Sequence, residues 1–394
     1  MPTPLAWHNL IHNKVRTAVA AAGVTFAVVL VFMQLGFLGS VETTVTRFFD
    51  ALNFDLMIRS PKYLHLSKPQ SFPQIRMQQA AEVHGVESVT PVQIQVSRWR
   101  SPLPPHKGRG ILAIGIRPEQ KAFALPEIAE KTRLLSDVEY VLIDRKSRAE
   151  FGPQNGKQFS DADIGVTTEV EKHKVKIVGH FALGTGLTAD GAILVTAEGF
   201  QRFFPMRSPD EVSFGLVRLQ PGADVEAVAR QMRRSFGCDA SPADNNSDVE
   251  VLTRSQAIDY ELRRWIRETS IGMIFVLGVV VSLLVGTVIV YQVLSSDVAS
   301  HMRQYATLKA MGYTNRFLGG VVLKQALGLA LIGFVPGLAI SLALYALTSY
   351  LANIPIVMNG GRIVMVLTMT VVMCVLSGLG ALRKVWVADP ASLF

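Results

Sequence analysis

Apolar and polar positions alternate in two different regimes along this chain. Four stretches carry no charge: Thr17 to Gly39, Ser270 to Leu294, Gln325 to Leu351 and Ile363 to Leu382. An α-helix rises about 1.5 Å per residue and the hydrocarbon core is roughly 30 Å thick, so about 20 apolar residues suffice to cross it. A central Lys or Arg would cost about 2.5 to 3.5 kcal/mol on an insertion scale. None stands mid-run, and Lys324, at the edge of one, can snorkel. The pattern predicts membrane helices at 17–39, within 255–294, at 317–352 and at 363–382. Some 230 residues of mixed sequence separate the first from the second, so a large water-soluble domain lies between helices one and two. Lys14 and Arg16 precede the first run as they would in a signal peptide. Its apolar stretch exceeds the usual ~7 to 15 residues and no A-x-A-like site follows, which favours an uncleaved anchor.

Helical spacing of apolar residues continues beyond the runs. In residues 1–16, Leu5, Trp7, Leu10, Ile11 and Val15 suggest an amphipathic helix on the membrane surface. Val41, Val45, Phe48, Phe49 and Leu52 extend helix one to about 52, and Ile258, Leu262, Trp265 and Ile266 precede helix two. Both read as amphipathic stalks. No proline interrupts 255–294, which allows a single 40-residue helix of about 60 Å. Domain 53–254 alternates strands and helices. Residues 53–116 and 208–254 read β-α-β-β and β-α-β, the grammar of a split βαβ α+β core, and 117–207 reads as a β-rich insertion. The fold class is therefore a membrane α-helical protein with four transmembrane helices and a large α+β domain inserted between the first two.

Charge orients this arrangement. The net charge is +8, yet residues 41–268 hold 30 Lys+Arg against 29 Asp+Glu, leaving +7 for the membrane helices and their flanks. Lys14 and Arg16, then Arg303, Lys309, Arg316 and Lys324, then Arg383 and Lys384 mark one side. The opposite short loop has only Arg362. By the positive-inside rule both termini, including the tail 383–394, and the connection 295–316 are cytoplasmic, with the large domain outside. The basic balance thus reflects topology and not nucleic-acid binding. Two cysteines, Cys238 and Cys374, fall in the outer domain and in helix four, so no internal disulfide is expected.

Motifs for chemistry fail one by one. Gly152 to Gln158 has one residue too few for a phosphate loop and Gln where Ser or Thr should hold magnesium. Gly184 to Ala189 resembles a dinucleotide fingerprint, but a strand follows it where a helix should. Asp161 and Asp163 begin like a calcium loop whose Gly165 is misplaced. His8 and His12 have no third ligand. The expectation is a chain without catalytic, metal or cofactor residues of its own. Within the runs, Gly333, Pro336 and Gly337 suit small-residue helix packing, or a contact with a second copy.

One polar connection stands out. From Ser296 to Gly312 the chain predicts a short helix, with Ser296 as cap, Asp297 and Lys309 suited to its dipole, and Gly312 in the left-handed terminal position. Met302, Tyr305, Ala306, Leu308 and Met311 are too many apolar groups for a helix facing only water. Arg303-Gln304-Tyr305-Ala306-Thr307-Leu308-Lys309-Ala310-Met311-Gly312 resembles the R-E-I-G-x-x-[RK]-A-[IM]-G pattern of FtsX-like/MacB-type ABC transporter permeases. Met33 to Phe37, Asn53 to Leu56 and Ala388 to Pro390 make the chain most similar to the DevC subfamily of cyanobacterial exporters.

That resemblance implies the MacB/FtsX-like permease fold and a non-catalytic subunit that pairs with a second copy of itself in the inner membrane. It implies a separate ABC ATP-binding subunit that carries ATP and magnesium, a periplasmic membrane-fusion-type adaptor and, through it, a TolC-like outer-membrane protein. The expected contact with the ATPase is Met302, Arg303, Gln304, Tyr305, Leu308, Lys309, Met311 and Gly312. Gln304 and Ala306 replace the pattern's Glu and Gly, which removes a charge from that contact. The expected function is export of a cargo such as a glycolipid or another amphiphile by transmitted motion. The alternative is FtsX-like signalling to cell-wall hydrolases outside.

Overall fold

The structure, a computed structural model, describes residues 14–184, 190–238, 247–302, 304, 307, 311–352 and 355–387. The expected surface helix before Lys14, the 185–189 segment and the tail beyond Val387 lie outside the described residues. The chain divides into two compact units, one of residues 1–39, 270–352 and 356–394, the other of residues 40–269 and 353–355.

The membrane unit holds four apolar helices. Helix α1 (Lys14–Ala51) contributes its first two thirds, and the other three follow the outer unit in sequence. Lipid gives apolar side chains no reason to leave it, so such helices associate through small residues and satisfied polar groups. The described contacts follow that rule. A Cβ added at Gly333 or Gly337 would lie 2.5 Å from Val24 or 2.7 Å from Val28 of α1, so both glycines serve packing within the chain. Thr25 Oγ1 donates to Gly333 O at 3.0 Å beside them. Pro336 stands in the same helix on its exposed side. Hydroxyls elsewhere turn back on their own helices, as Ser282 does to Gly278 O and Thr370 to Val366 O, both at 2.7 Å.

The outer unit is built on β1 (Leu56–Arg59), β2 (Phe72–Pro73), α2 (Ile75–Ala81), β3 (Val86–Arg100), β4 (Gly108–Ile116), α3 (Pro126–Lys131), β5 (Tyr140–Asp144), β6 (Thr167–Val170), β7 (His173–Phe181), β8 (Ala192–Thr196), α4 (Ala197–Phe203), β9 (Glu211–Val212), β10 (Phe214–Leu219), α5 (Val225–Phe236), β11 (Glu250–Thr253) and α6 (Arg254–Arg263). Four strands in the order β11-β1-β10-β3 form an antiparallel sheet, the split βαβ arrangement, with α2 and α5 on one face. Its α5 is cleanly terminated. Asp224 accepts from the amides of Glu226 and Ala227, and Gly237 at φ +68 takes the left-handed position at the far end. Strand β3 then changes partners. Up to Val92 it pairs with β10, and from Gln93 it pairs with β4.

From Gln93 onward β3 belongs to a second sheet, β3-β4-β8-β5-β7-β6, which a β3–β6 pairing closes into a six-stranded ring. The inserted part therefore begins inside β3 and takes β4 with it, earlier than the boundary at 117 that the pattern suggests. A strand of 15 residues serves two sheets, and Pro91, which cannot donate to a ladder, stands just before the change. Alternate β4 residues feed different cores. Ile111 and Ala113 join Trp99, Phe151 and Phe200, whereas Leu112 and Ile114 join a cluster that includes Val41, Val45, Phe48, Leu52 and Trp265.

The last elements depart further from expectation. After α6 comes a π turn, Arg264–Glu268, and Thr269 is extended at φ −92, ψ 148 before α7 (Ser270–Ser300) begins. The single 40-residue helix is thus two, because Thr269 interrupts the hydrogen-bond ladder. At its other end α7 runs through Ser296, which caps no new helix. The remaining helices are α8 (Asn315–Ala352) and α9 (Gly360–Val387), the latter longer at both ends than 363–382.

Candidate functional site

No described group of three or more His, Cys, Asp and Glu could hold a metal ion. The motif-like segments have structural duties. Gly152 and Gly156 take φ +86 and +68 in turns, and the Asp163 carboxylate accepts from the Gln154 and Ser160 amides at 2.7 and 2.8 Å.

Between α7 and α8 the described residues are mixed in character, and two exposed apolar side chains, Met311 and Tyr313, are followed by Phe317 in the first turn of α8. Met311 is 63% exposed, Tyr313 45% and Phe317 41%, with the two rings 4.8 Å apart. The Met311 amide donates to Thr307 O at 3.0 Å, and Gly312 at φ +94 ends that turn, as the sequence suggested. Gln304 is exposed and Met302 half-buried. Arg303, Tyr305, Ala306, Leu308 and Lys309 lie outside the described residues. Near the root of this segment, Asp297 sits within α7 and not at the start of a separate helix. Gln325 of α8, itself 1% exposed, donates to its Oδ2 at 3.3 Å, and His301 lies 3.5 Å from its Oδ1. An acidic group inside the second apolar helix differs from the sequence expectation, in which Ser296 caps a separate short helix and Asp297 suits the start of its dipole.

In the outer unit all the expected stalk residues but Ile266 join the core or pack against it. Val41, Val45, Phe48 and Leu52 are at most 2% exposed, Trp265 is 6% exposed, and Ile258 and Leu262 pack against them half-buried. Ile266 is also half-buried. The stripes are thus interior parts of the unit and not free rods.

Beside them lies a buried polar cluster. Glu261, with no exposed surface, accepts from Tyr63 Oη at 2.8 Å on Oε2, and from the Leu66 amide at 2.8 Å and Trp265 Nε1 at 2.9 Å on Oε1. Arg59, equally buried, donates to Glu250 at 2.6 Å and lies between the rings of Tyr63 and Tyr260, 4.5 and 3.8 Å from their centroids. Burial raises the Glu261 carboxyl above its ordinary value, against those hydrogen bonds and the Arg59 charge. It also raises the Tyr63 phenol, with Glu261 adding to the effect. One signal could have found this cluster: Ala257, Glu261 and Trp265 are spaced four apart, which puts a carboxylate on the buried stripe.

Two open clefts mark the outer unit's surface, one of about 450 Å³ beside Gln93 and Gln201, the other of about 760 Å³ beside Asn53 and Phe123.

Comparison with known proteins places both units. The family model described as MacB-like periplasmic core domain matches residues 17–235, and that described as FtsX-like permease C-terminal matches 276–389. An uncharacterized ABC transporter permease of Mycobacterium tuberculosis (strain CDC 1551 / Oshkosh) is 24% identical over 232 residues, 59% of this chain, and the match spans 58% of that relative's length. An uncharacterized ABC transporter permease of Mycobacterium bovis is 24% identical over 384 residues, covering 96% of this chain and 94% of the relative. Among solved structures, the extracellular domain of the noncanonic ABC-type transporter YknZ from Gram-positive bacteria overlaps 51% of this chain and all of that one. It does so at 15% identity and a TM-score of 0.34. The periplasmic region of MacB from Actinobacillus actinomycetemcomitans overlaps 56% of this chain and 96% of that one, at 9% identity and a TM-score of 0.33.

Proposed function

The chain belongs to the family of permeases that join a MacB-like periplasmic core domain to an FtsX-like permease region, and on that premise we propose that it is the non-catalytic membrane subunit of an ABC-type exporter. A separate ATP-binding subunit, holding ATP and magnesium, docks on the 302–312 segment. Its cycle of closure moves the membrane helices, and the outer domain uses that motion to pass cargo to a periplasmic adaptor and an outer-membrane duct. Two copies work together, with both termini and the docking segment in the cytoplasm. The DevC-like motifs are the ground for an amphiphilic cargo such as a glycolipid.

The observation that carries this reading is the exposed apolar pair Met311 and Tyr313 on the connection between the second and third membrane helices, with exposed Phe317 in the first turn of the third. Groups of that kind gathered on a polar connection suit a protein partner. Arg303 and Lys309 on that connection, with Arg316 and Lys324 early in α8, support a cytoplasmic side for it by the positive-inside rule, the side on which an ATP-binding subunit would act. Leu308→Asp with Met311→Asp should abolish co-purification of the ATP-binding subunit and leave the unfolding of the outer domain unchanged. Undiminished co-purification would refute the contact. Capture of a cell-wall hydrolase by the outer domain, in place of an adaptor, would favour signalling over export.

A further inference from the structure

We propose that Glu261 is a proton-gated latch: neutral, it fastens the π turn Arg264–Glu268 to the loop that follows β1, and ionised, it holds that turn weakly enough to release under load. The load is the motion posited above. The latch equilibrium does not depend on it.

The geometry of the socket carries the argument. Oε1 of Glu261 takes two N–H donors, Leu66 N and Trp265 Nε1, while Oε2 faces a single hydroxyl, Tyr63 Oη. A hydroxyl donates or accepts equally well. A proton on Oε2 can therefore point at Tyr63 Oη without moving any heavy atom, and both N–H bonds to Oε1 survive. The exchange leaves one hydroxyl proton unpaired where there had been an unsolvated charge, and the unsolvated charge is the costlier of the two. The socket accepts a carboxylate but suits a carboxylic acid better.

The surrounding charges do not reverse this. From β1, Arg59 is spent on Glu250 at 2.6 Å and on two aromatic faces. From the loop, Tyr63 stays protonated, and His65, its ring tilted against Trp265 at 5.2 Å, is pushed towards its neutral form by burial, Lys68 and Arg264. From the helix side, Arg264 donates to Tyr260 Oη at 2.8 Å.

The latched element is itself built to change. A π turn is wound one residue wider than an α-helix and such turns are concentrated at functional places. Here Trp265 belongs to the turn and reaches back four residues to Glu261, while the amide and hydroxyl of Thr269 donate to Arg264 O and Trp265 O at 3.2 and 2.6 Å. Weakening the Glu261 bonds would leave the turn held to the loop by the His65–Trp265 ring contact and the long bond from Tyr260 Oη to Tyr63 O.

The sign of the pH effect follows. The carboxyl is raised in the latched form and ordinary in a released, hydrated form, so the latched form binds the proton more tightly. Latching is strongest below the ordinary carboxylate range. It weakens as pH rises to the raised value and is constant above it.

Hydrogen exchange on the full chain in detergent micelles, divided by the intrinsic rate at each pH, tests this. In the window above the ordinary carboxylate range, segments 60–68 and 260–269 should lose up to about tenfold in protection per pH unit, while strand β10 does not. Glu261→Gln, whose amide supplies one acceptor oxygen for the two N–H groups and a donor for Tyr63, should abolish the slope and match or exceed wild-type protection at neutral pH. Glu261→Ala should be less protected at every pH. A flat wild-type profile, or equal loss of protection in Glu261→Gln and Glu261→Ala, would overturn the latch. Should Glu261→Ala fail to fold, the slope in wild type and its absence in Glu261→Gln decide alone. With the ATP-binding subunit added, Glu261→Gln should slow ATP turnover. A latch that behaves as described beside unchanged turnover would leave the latch standing and count against transmitted motion.

Discussion

The chain passes between its two units as an unbroken helix at residues 39–40 and through an interrupted segment at 269–270. Residues 40–51 and 254–268 look alike in sequence, each an amphipathic stripe, and both stripes are buried in the same core. They differ in what else the buried face carries. In α1 that face is apolar except for Ser40 and Thr44, and the Thr44 hydroxyl donates to Ser40 O one turn back at 2.8 Å. That bond stays within the helix, and α1 runs unbroken through this stretch. In α6 the buried face carries Glu261, which the helix cannot satisfy by itself. Tyr63, Leu66 and Trp265 satisfy it, Trp265 sits in the π turn that follows α6, and Thr269 ends the ladder.

That contrast can be broken at either end. Val45→Pro, in the uninterrupted helix, removes a ladder hydrogen bond and collides with the preceding turn, at a cost of about 3 kcal/mol or more. Val45 is 1% exposed in the core, so denaturant unfolding of the outer domain should report the full loss. An unchanged midpoint would show that α1 is not a continuous member of that core. Trp265→Phe keeps the packing but deletes one donor to Glu261, which should cost about 1.5 to 3 kcal/mol in the same assay. The local signature should be faster exchange at 260–269 with α1 unaffected. Equal effects at both segments would mean that the two connections are mechanically one.

The parts of this architecture that could be read from sequence are those set by long, uniform patterns. Four uncharged runs become four apolar helices, and the βαβ alternation becomes the sheet β11-β1-β10-β3, because burial on one face and lipid on all faces leave distinct periodicities. What escaped is decided by single residues or by pairing at a distance. The continuity of α7 past Ser296 depends on Gln325, 28 residues later, reaching Asp297. The division of β3 between two sheets depends on which strand lies beside Gln93, and in VESVTPVQIQVSRWR only Pro91 hints at a change, without saying which strand follows. Of the coupling group, Met311 and Gly312 are where the pattern put them, exposed and left-handed respectively. Cys238 shows the opposite outcome. It is the one cysteine of the outer domain, yet at 8% exposure it is too buried to report on which side that domain lies.

Met206, at 99% exposure, is the better reporter. In a Cys238→Ser background, Met206→Cys and Gln304→Cys should react oppositely with a membrane-impermeant maleimide on intact cells whose outer membrane admits the reagent. The account predicts labelling at 206 before lysis and at 304 only after the inner membrane is opened. Labelling of both on the same side would contradict it, because a segment that meets an ATPase and a domain that receives its motion would then share one compartment.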